Sequence, residues 1–178
     1  MIDHESLEEF ISQFPVYQYA FFSPRELAFS ERVRTVCRQE CSRYGTTWAC
    51  PPAVGTVEEC RERCLGYGEC FLFSTVAEVS DVANLEETLA TRKEHEAITA
   101  AIEQFLRQRG ANCMALSTES CDLCEHCTYP DAPCRFPDKM HPCVESHGIV
   151  VCQLAEKYGM DFTLSTTQIL WFGLLFLD

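Results

Sequence analysis

The chain lacks any long apolar run. Its longest, Ile169 to Leu177, is nine residues, about half of what a helix needs to cross the hydrocarbon of a bilayer. It reads as a buried strand, and no membrane partner is expected. The N-terminus also lacks a basic stretch leading into apolar residues, so no secretory signal is expected and the thiols should be made in a reducing, cytoplasmic setting. Basic residues are scarce: 14 Lys and Arg stand against 27 Asp and Glu, for a formal charge of -13. No cluster of Lys and Arg is present to grip phosphates, which argues against nucleic acid as a partner. No serine-histidine-acid, phosphate-loop or dinucleotide motif supports an enzyme of those classes.

What the chain does hold is apolar material and sulfur. A hydrophobic fraction of 47%, with 12 Phe, 6 Tyr and 2 Trp in 178 residues, is enough for one core, so a single domain over residues 1–178 is expected. There are 13 cysteines, just below the density that marks a disulfide scaffold. An odd number cannot pair completely, and closely spaced cytosolic thiols bind metal or do redox chemistry more often than they crosslink.

Residues 15–22, aromatic and β-branched, predict a first strand ending at Ser23-Pro24. Ser30 to Cys37 predicts a capped helix leading into cysteines, and Glu58 to Leu65 a helical turn. Residues 70–77 predict a strand. The clearest helix starts at Asn84, with Glu87 three residues on, places Leu85, Leu89, Ile98, Ala101, Ile102, Phe105 and Leu106 toward one face, and stops at Gly110. Residues 113–117 predict a strand, Pro142 to Tyr158 a helix stopped by Gly159, and 169–177 the last strand. The pattern implies an α+β fold: a mixed or antiparallel sheet, helices on one face, and two cysteine-rich metal-binding loops, 37–52 and 120–143, at an edge.

The strongest chemical signal is Cys121-x2-Cys124-x2-Cys127-x6-Cys134. Two-residue gaps let successive thiolates turn around one centre, as in cubane iron-sulfur sites. Zinc also takes four cysteines, but usually from two separated C-x2-C knuckles, so the spacing favours a 4Fe-4S cluster with zinc as the alternative. Cys37, Cys41 and Cys50, the last followed by Pro51-Pro52, form a second set that is one ligand short. The fourth position is open between Cys143, Cys113, Cys70, a non-protein ligand and an iron left free for chemistry. The alternative is that these three merely line the interior. Tyr44 and Trp48 read as packing over the site.

Cys60, Cys64 and Cys70 have no loop frame and read as buried residues, and Cys152, mid-helix, reads as core. Among the five histidines, His126 should point outward between two ligands, while His141 and His147 flank Cys143 and could replace a missing thiolate. Arg135, directly after Cys134, would set a cation beside a thiolate cluster and favour its reduced state, unless it pairs with Asp131 or Asp138 on the surface. Glu145 suits the positive end of a helix.

At these residues the chain resembles a family of uncharacterised prokaryotic proteins described as predicted metal-binding proteins. The resemblance rests on Cys37, Cys41, Tyr44-Gly45, Trp48, Cys50-Pro51-Pro52, Cys121-x2-Cys124-x2-Cys127, Pro133-Cys134-Arg135-x-Pro137 and Glu145-x2-Gly148-Ile149. It spans roughly residues 15 to 177 and implies metal binding without an activity. Cys143 stands where the family pattern has serine, and Ser120 where it has glycine. Three functions are then in competition: an iron-sulfur protein, with one 4Fe-4S cluster or two, that serves electron transfer with a redox partner; a zinc-stabilised interaction module; and an enzyme with an open iron in the three-cysteine site. For the first, the acidic surface would steer a basic partner.

Overall fold

Two strands carry apolar side chains on both faces, and that decides the architecture. The computed structural model describes residues 3–178. In it β2 (Glu69–Glu78) and β4 (Gln168–Leu177) lie at the centre of a four-stranded sheet, flanked by β1 (Val16–Phe22) and β3 (Cys113–Leu116) in the order β1-β2-β4-β3. Every pairing is antiparallel. The α+β class and the antiparallel sheet match the expectation from sequence.

The helices do not all lie on one face, which corrects that expectation. Phe71, Phe73, Leu175 and Leu177 point to a layer formed by α1 (His4–Ile11) and α4 (Leu85–Gln108) through Leu7, Ile11, Ile98, Ile102 and Leu106. Leu72, Leu174 and Phe176 point the other way, to α5 (Val151–Lys157), to Cys64 of α3 (Val57–Leu65) and to Ile149. Strand residues alternate faces, so continuous apolar strands need cover on both sides. Burying each large apolar side chain contributes about 1.5–3 kcal/mol. At the edge, β1 has one wet side, with Tyr17 and Tyr19 exposed.

Local chemistry sets the helix starts. Ser30 caps α2 (Glu31–Glu40), Thr56 and Glu59 form a reciprocal capping box on α3, and the Asn84 side chain accepts from the Glu87 amide at the start of α4. The stretch from Pro142 is shorter than expected from its pattern: a 3-10 turn at Glu145–His147, a break, then α5. The break is Gly148, at φ +79°, where a Cβ would meet Val57 at 3.0 Å, and Ile149 beyond it bridges to Phe29. Of the expected apolar stripe on α4, Leu85 and Leu89 are exposed, while Thr88, Arg92 and His95 are buried in that half. The inward side of this half is polar because its partners are: Thr88 Oγ1 donates to the Val82 carbonyl (3.3 Å) and Arg92 to the Ser120 carbonyl (2.8 Å). No helix among the described residues is long and apolar enough to cross a membrane.

Two features of this packing yield tests. Gly173 sits opposite Phe73, whose ring lies where a Cβ would stand, at 2.3 Å. Gly173→Ala should therefore overpack the sheet and lower stability by about 1–3 kcal/mol, read from the denaturant midpoint; an unchanged midpoint would show that Phe73 moves freely. His95 stacks on Phe73 and shares a 2.8 Å hydrogen bond with the Thr75 hydroxyl. Burial pushes its pKa down to about 4, against the opposing pull of Glu96. As pH falls from about 6.5 through about 4, the unfolded chain takes up a proton that the folded one does not, so stability present at neutral pH is lost in that window by a few kcal/mol. His95→Leu should flatten the stability-pH slope between those values relative to wild type, and parallel slopes would refute the assignment.

Candidate metal centre

The second cysteine loop leaves the edge strand β3 at Ser117 and returns to the same point. Ser117 N–H donates to the Pro142 carbonyl (2.9 Å) and Val144 N–H to the Ser117 carbonyl (3.0 Å), forming an isolated parallel bridge between Ser117 and Cys143. Between these ends there is no helix or strand, so the backbone polar groups need other partners. Arginines supply several. Arg92 of α4 donates to the Ser120 carbonyl (2.8 Å) and pairs with Asp122, Arg43 donates to the Cys121 carbonyl (2.6 Å), and Arg135 to the His126 carbonyl (2.8 Å). Within the loop Thr128 Oγ1 donates to the Pro133 carbonyl at 2.8 Å.

This loop and the turn after α2 enclose a cavity of about 240 Å³ whose lining includes Cys121, Cys124, Cys127 and Cys134, all half-buried. Trp48, Leu123, Phe136 and Met140 supply its apolar wall. Trp48 spans both loops: its Nε1 donates to the Ala132 carbonyl (3.0 Å), and its ring meets Tyr129 edge-on with centroids 5.0 Å apart. The Phe136 amide donates to Cys134 Sγ at 3.4 Å. Burial pushes the Cys121 thiol up, opposed by the Leu123 amide that donates to it. All thirteen cysteines are free thiols. No group of three or more His, Cys, Asp or Glu side chains among the described residues is arranged to hold a single metal ion; the loop instead spreads its four thiols around a space.

The other cysteines sort by place. Cys37 lies in the last turn of α2, Cys41 caps its end in the open, and Cys50 is buried at the end of the following turn. Burial raises the Cys37 thiol first, then the charge of Cys41, and Glu145 and Cys50 raise it further. Cys60, Cys64 and Cys70 are fully buried, as expected. Cys113 is also buried, against α4, where its Sγ donates to the Glu103 carbonyl at 3.7 Å. Cys152 is exposed, which corrects its reading as core: α5 turns only Val151, Leu154 and Ala155 inward.

The histidines and charged residues beside the loops are now placed. His126 is exposed, as its position between two cysteines implied. His141 has both ring nitrogens on carboxylates, Glu96 at 3.3 Å and Glu103 at 3.2 Å, which overcome its burial and push its pKa up to about 9. His147 is held by Ser146 (3.0 Å) and Arg63 (3.3 Å), and burial pushes it down to about 3. Both rings thus have their nitrogens on partners other than cysteine. Glu145 starts only a 3-10 turn rather than a helix, and burial raises its carboxyl beside Cys143. Arg135 is exposed at the cavity, with its guanidinium on a carbonyl and no ion pair to Asp131 or Asp138 among the described residues. Sequence reasoning missed Arg92, Arg43 and Ser120. Arg92 had a signal: it falls in the buried series Thr88, Arg92, His95, Thr99, Ile102, whose spacing of three and four marks one helix face.

An α+β fold around a four-stranded antiparallel sheet, with Cys121, Cys124, Cys127 and Cys134 lining one cavity, defines a cysteine-rich class of protein. The sequence profile of a family described as predicted metal-binding protein (DUF2284) matches residues 20–177, and the chain belongs to that family. No curated protein and no solved structure matches it significantly.

Arg92 ties the entry of the loop to α4 and is itself buried. In Arg92→Met the amides of residues 120–124 should exchange with solvent at least about tenfold faster, since one lost charged hydrogen bond is worth about 1.5–3 kcal/mol, while core amides of β2 and β4 keep their protection. Uniform acceleration across the chain would mean that Arg92 serves global stability rather than the loop.

Proposed function

We propose that this protein holds a 4Fe-4S cluster in the cavity lined by Cys121, Cys124, Cys127 and Cys134 and exchanges electrons with a redox partner in a reducing cytoplasm. The observation that carries the reading is the placement of all four thiols of a C-x2-C-x2-C-x6-C run on one cavity of about 240 Å³. A lone zinc would draw four sulfurs to about 2.3 Å from a single point. Thiols spread around a space of this size suit a group of several irons, each taking one sulfur.

When bound, such a cluster accepts and releases single electrons. The chain's own residues supply the setting. Trp48, Met140 and Phe136 give the cavity an apolar wall, and the amides of Leu123 and Phe136 donate to cysteine sulfurs, which favours the more negative state. The Arg135 guanidinium on the same cavity acts in the same direction. Leu123 and Phe136 are also exposed, at 46% and 41%. They offer an apolar contact where a partner would come near the cluster, and the net charge of -13 steers a basic one.

Anaerobic purification followed by iron and acid-labile sulfide analysis and EPR tests the proposal. Cys124→Ala should abolish the cluster of this loop and destabilise the fold, whereas Cys152→Ala, at an exposed position, should leave metal content unchanged. Colourless protein carrying stoichiometric zinc and no sulfide would replace this reading with that of a zinc-stabilised module, and equal metal loss in both variants would mean that the thiols are wrongly sorted.

A further inference from the structure

The set Cys37, Cys41 and Cys50 lacks a fourth thiol in its own stretch of chain, and the fold brings one to it. Cys37 and Cys41 lie one helical turn apart, with Cys41 N–H donating to the Cys37 carbonyl (3.3 Å), so both face the same side of the end of α2. The loop beyond doubles back, with Gly45 N–H donating to the Pro51 carbonyl (2.8 Å), and delivers Cys50 to that side. Cys143 arrives from about a hundred residues further on. The Ser117 bridge holds its backbone, and the turn that follows it, 145–147, packs on α2, where Ser30 N–H donates to the Gly148 carbonyl at 2.8 Å. Cys50 reaches the same place: its Sγ lies 3.0 Å from the hydroxyl of Ser120, three residues along the chain from the Ser117 that bridges Cys143. The other candidates for the missing position are accounted for: Cys70 is sealed in the core beneath α5 and Cys113 in the core beneath α4.

We infer that Cys143 completes a second four-thiolate centre with Cys37, Cys41 and Cys50, and that this centre holds a second iron-sulfur cluster. Each thiol loses its proton to solvent as its sulfur bonds to iron. The two centres share a wall. Cys50 Sγ donates to the Ser120 hydroxyl at 3.0 Å, Thr47 Oγ1 meets the same hydroxyl at 3.3 Å, and Ser120 is the direct neighbour of Cys121. Four thiolates leave no iron open at this site, so it relays electrons to its neighbour rather than binding substrate. This inference rests on the iron-sulfur reading of the Cys121–Cys134 loop.

The test reconstitutes the full chain anaerobically with ferrous iron and sulfide. Wild type should bind two clusters, and Cys143→Ala should keep roughly half of its iron and sulfide. Cys41→Ala, at an exposed position that the fold does not need, should do the same, which guards against a folding defect in the first variant. Cys124→Ala should lose the complementary half. On full reduction, wild type should show an EPR spectrum broadened by interaction between two nearby spins, and each single variant a simple uncoupled one. Cys143→Ala and Cys41→Ala with wild-type iron and sulfide would overturn the second centre while the first stands. Zinc in place of iron at the second site would overturn it also. Wild type without sulfide would instead bring down the iron-sulfur reading itself.

Discussion

The bridge between Ser117 and Cys143 is the contact on which the second cysteine loop depends. It closes a long loop with no regular structure against the edge strand β3, and it does so at a cysteine. Closing such a loop costs entropy that grows only slowly with its length, and the two backbone hydrogen bonds at the base are supplemented by arginines that reach in from other elements. The bridge fixes both ends of the loop at one place, with Cys121, Cys124, Cys127 and Cys134 inside the loop and Cys143 in the bridge itself.

Charge is distributed to suit that arrangement. The chain has only 14 basic residues against 27 acidic ones, yet Arg43, Arg92 and Arg135 all direct guanidinium groups to carbonyls of the second loop. A planar guanidinium with several donors can hold two groups at once, as Arg92 does with Ser120 and Asp122. The cations also lie close to where thiolate charge would gather. Around Glu96 and Glu103 the negative charge is partly balanced by a charged His141.

Much of the fold was legible because it rests on local rules. Ser30, Thr56 and Asn84 start helices where capping chemistry says they should, and the aromatic and aliphatic runs are strands. The failures have physical causes. The N-terminal helix α1 was not anticipated, although Asp3 caps it and Leu7, Phe10 and Ile11 fall at helical spacing. The expected helix from Pro142 is broken by a glycine whose left-handed backbone and contact with Val57 are tertiary features. Leu85 and Leu89 were assigned inward by periodicity, but that end of α4 turns Thr88 and Arg92 inward instead, onto the Val82 and Ser120 carbonyls that only the folded chain brings there.

The candidate site divides along the same line. The spacing of Cys121, Cys124, Cys127 and Cys134 marked a ligand loop, because a run this short constrains its own thiols to turn around one centre. The same sequence marked Cys37, Cys41 and Cys50 as an incomplete set and left its fourth member open among several thiols. Tertiary structure alone decided that Cys70 and Cys113 belong to opposite faces of the sheet, that Cys152 is outside, and that the turn following Cys143 packs on α2, the helix that carries Cys37. Proximity across about a hundred residues is set by strand order and loop closure, and these come from the burial of both faces of β2 and β4 rather than from any spacing of cysteines.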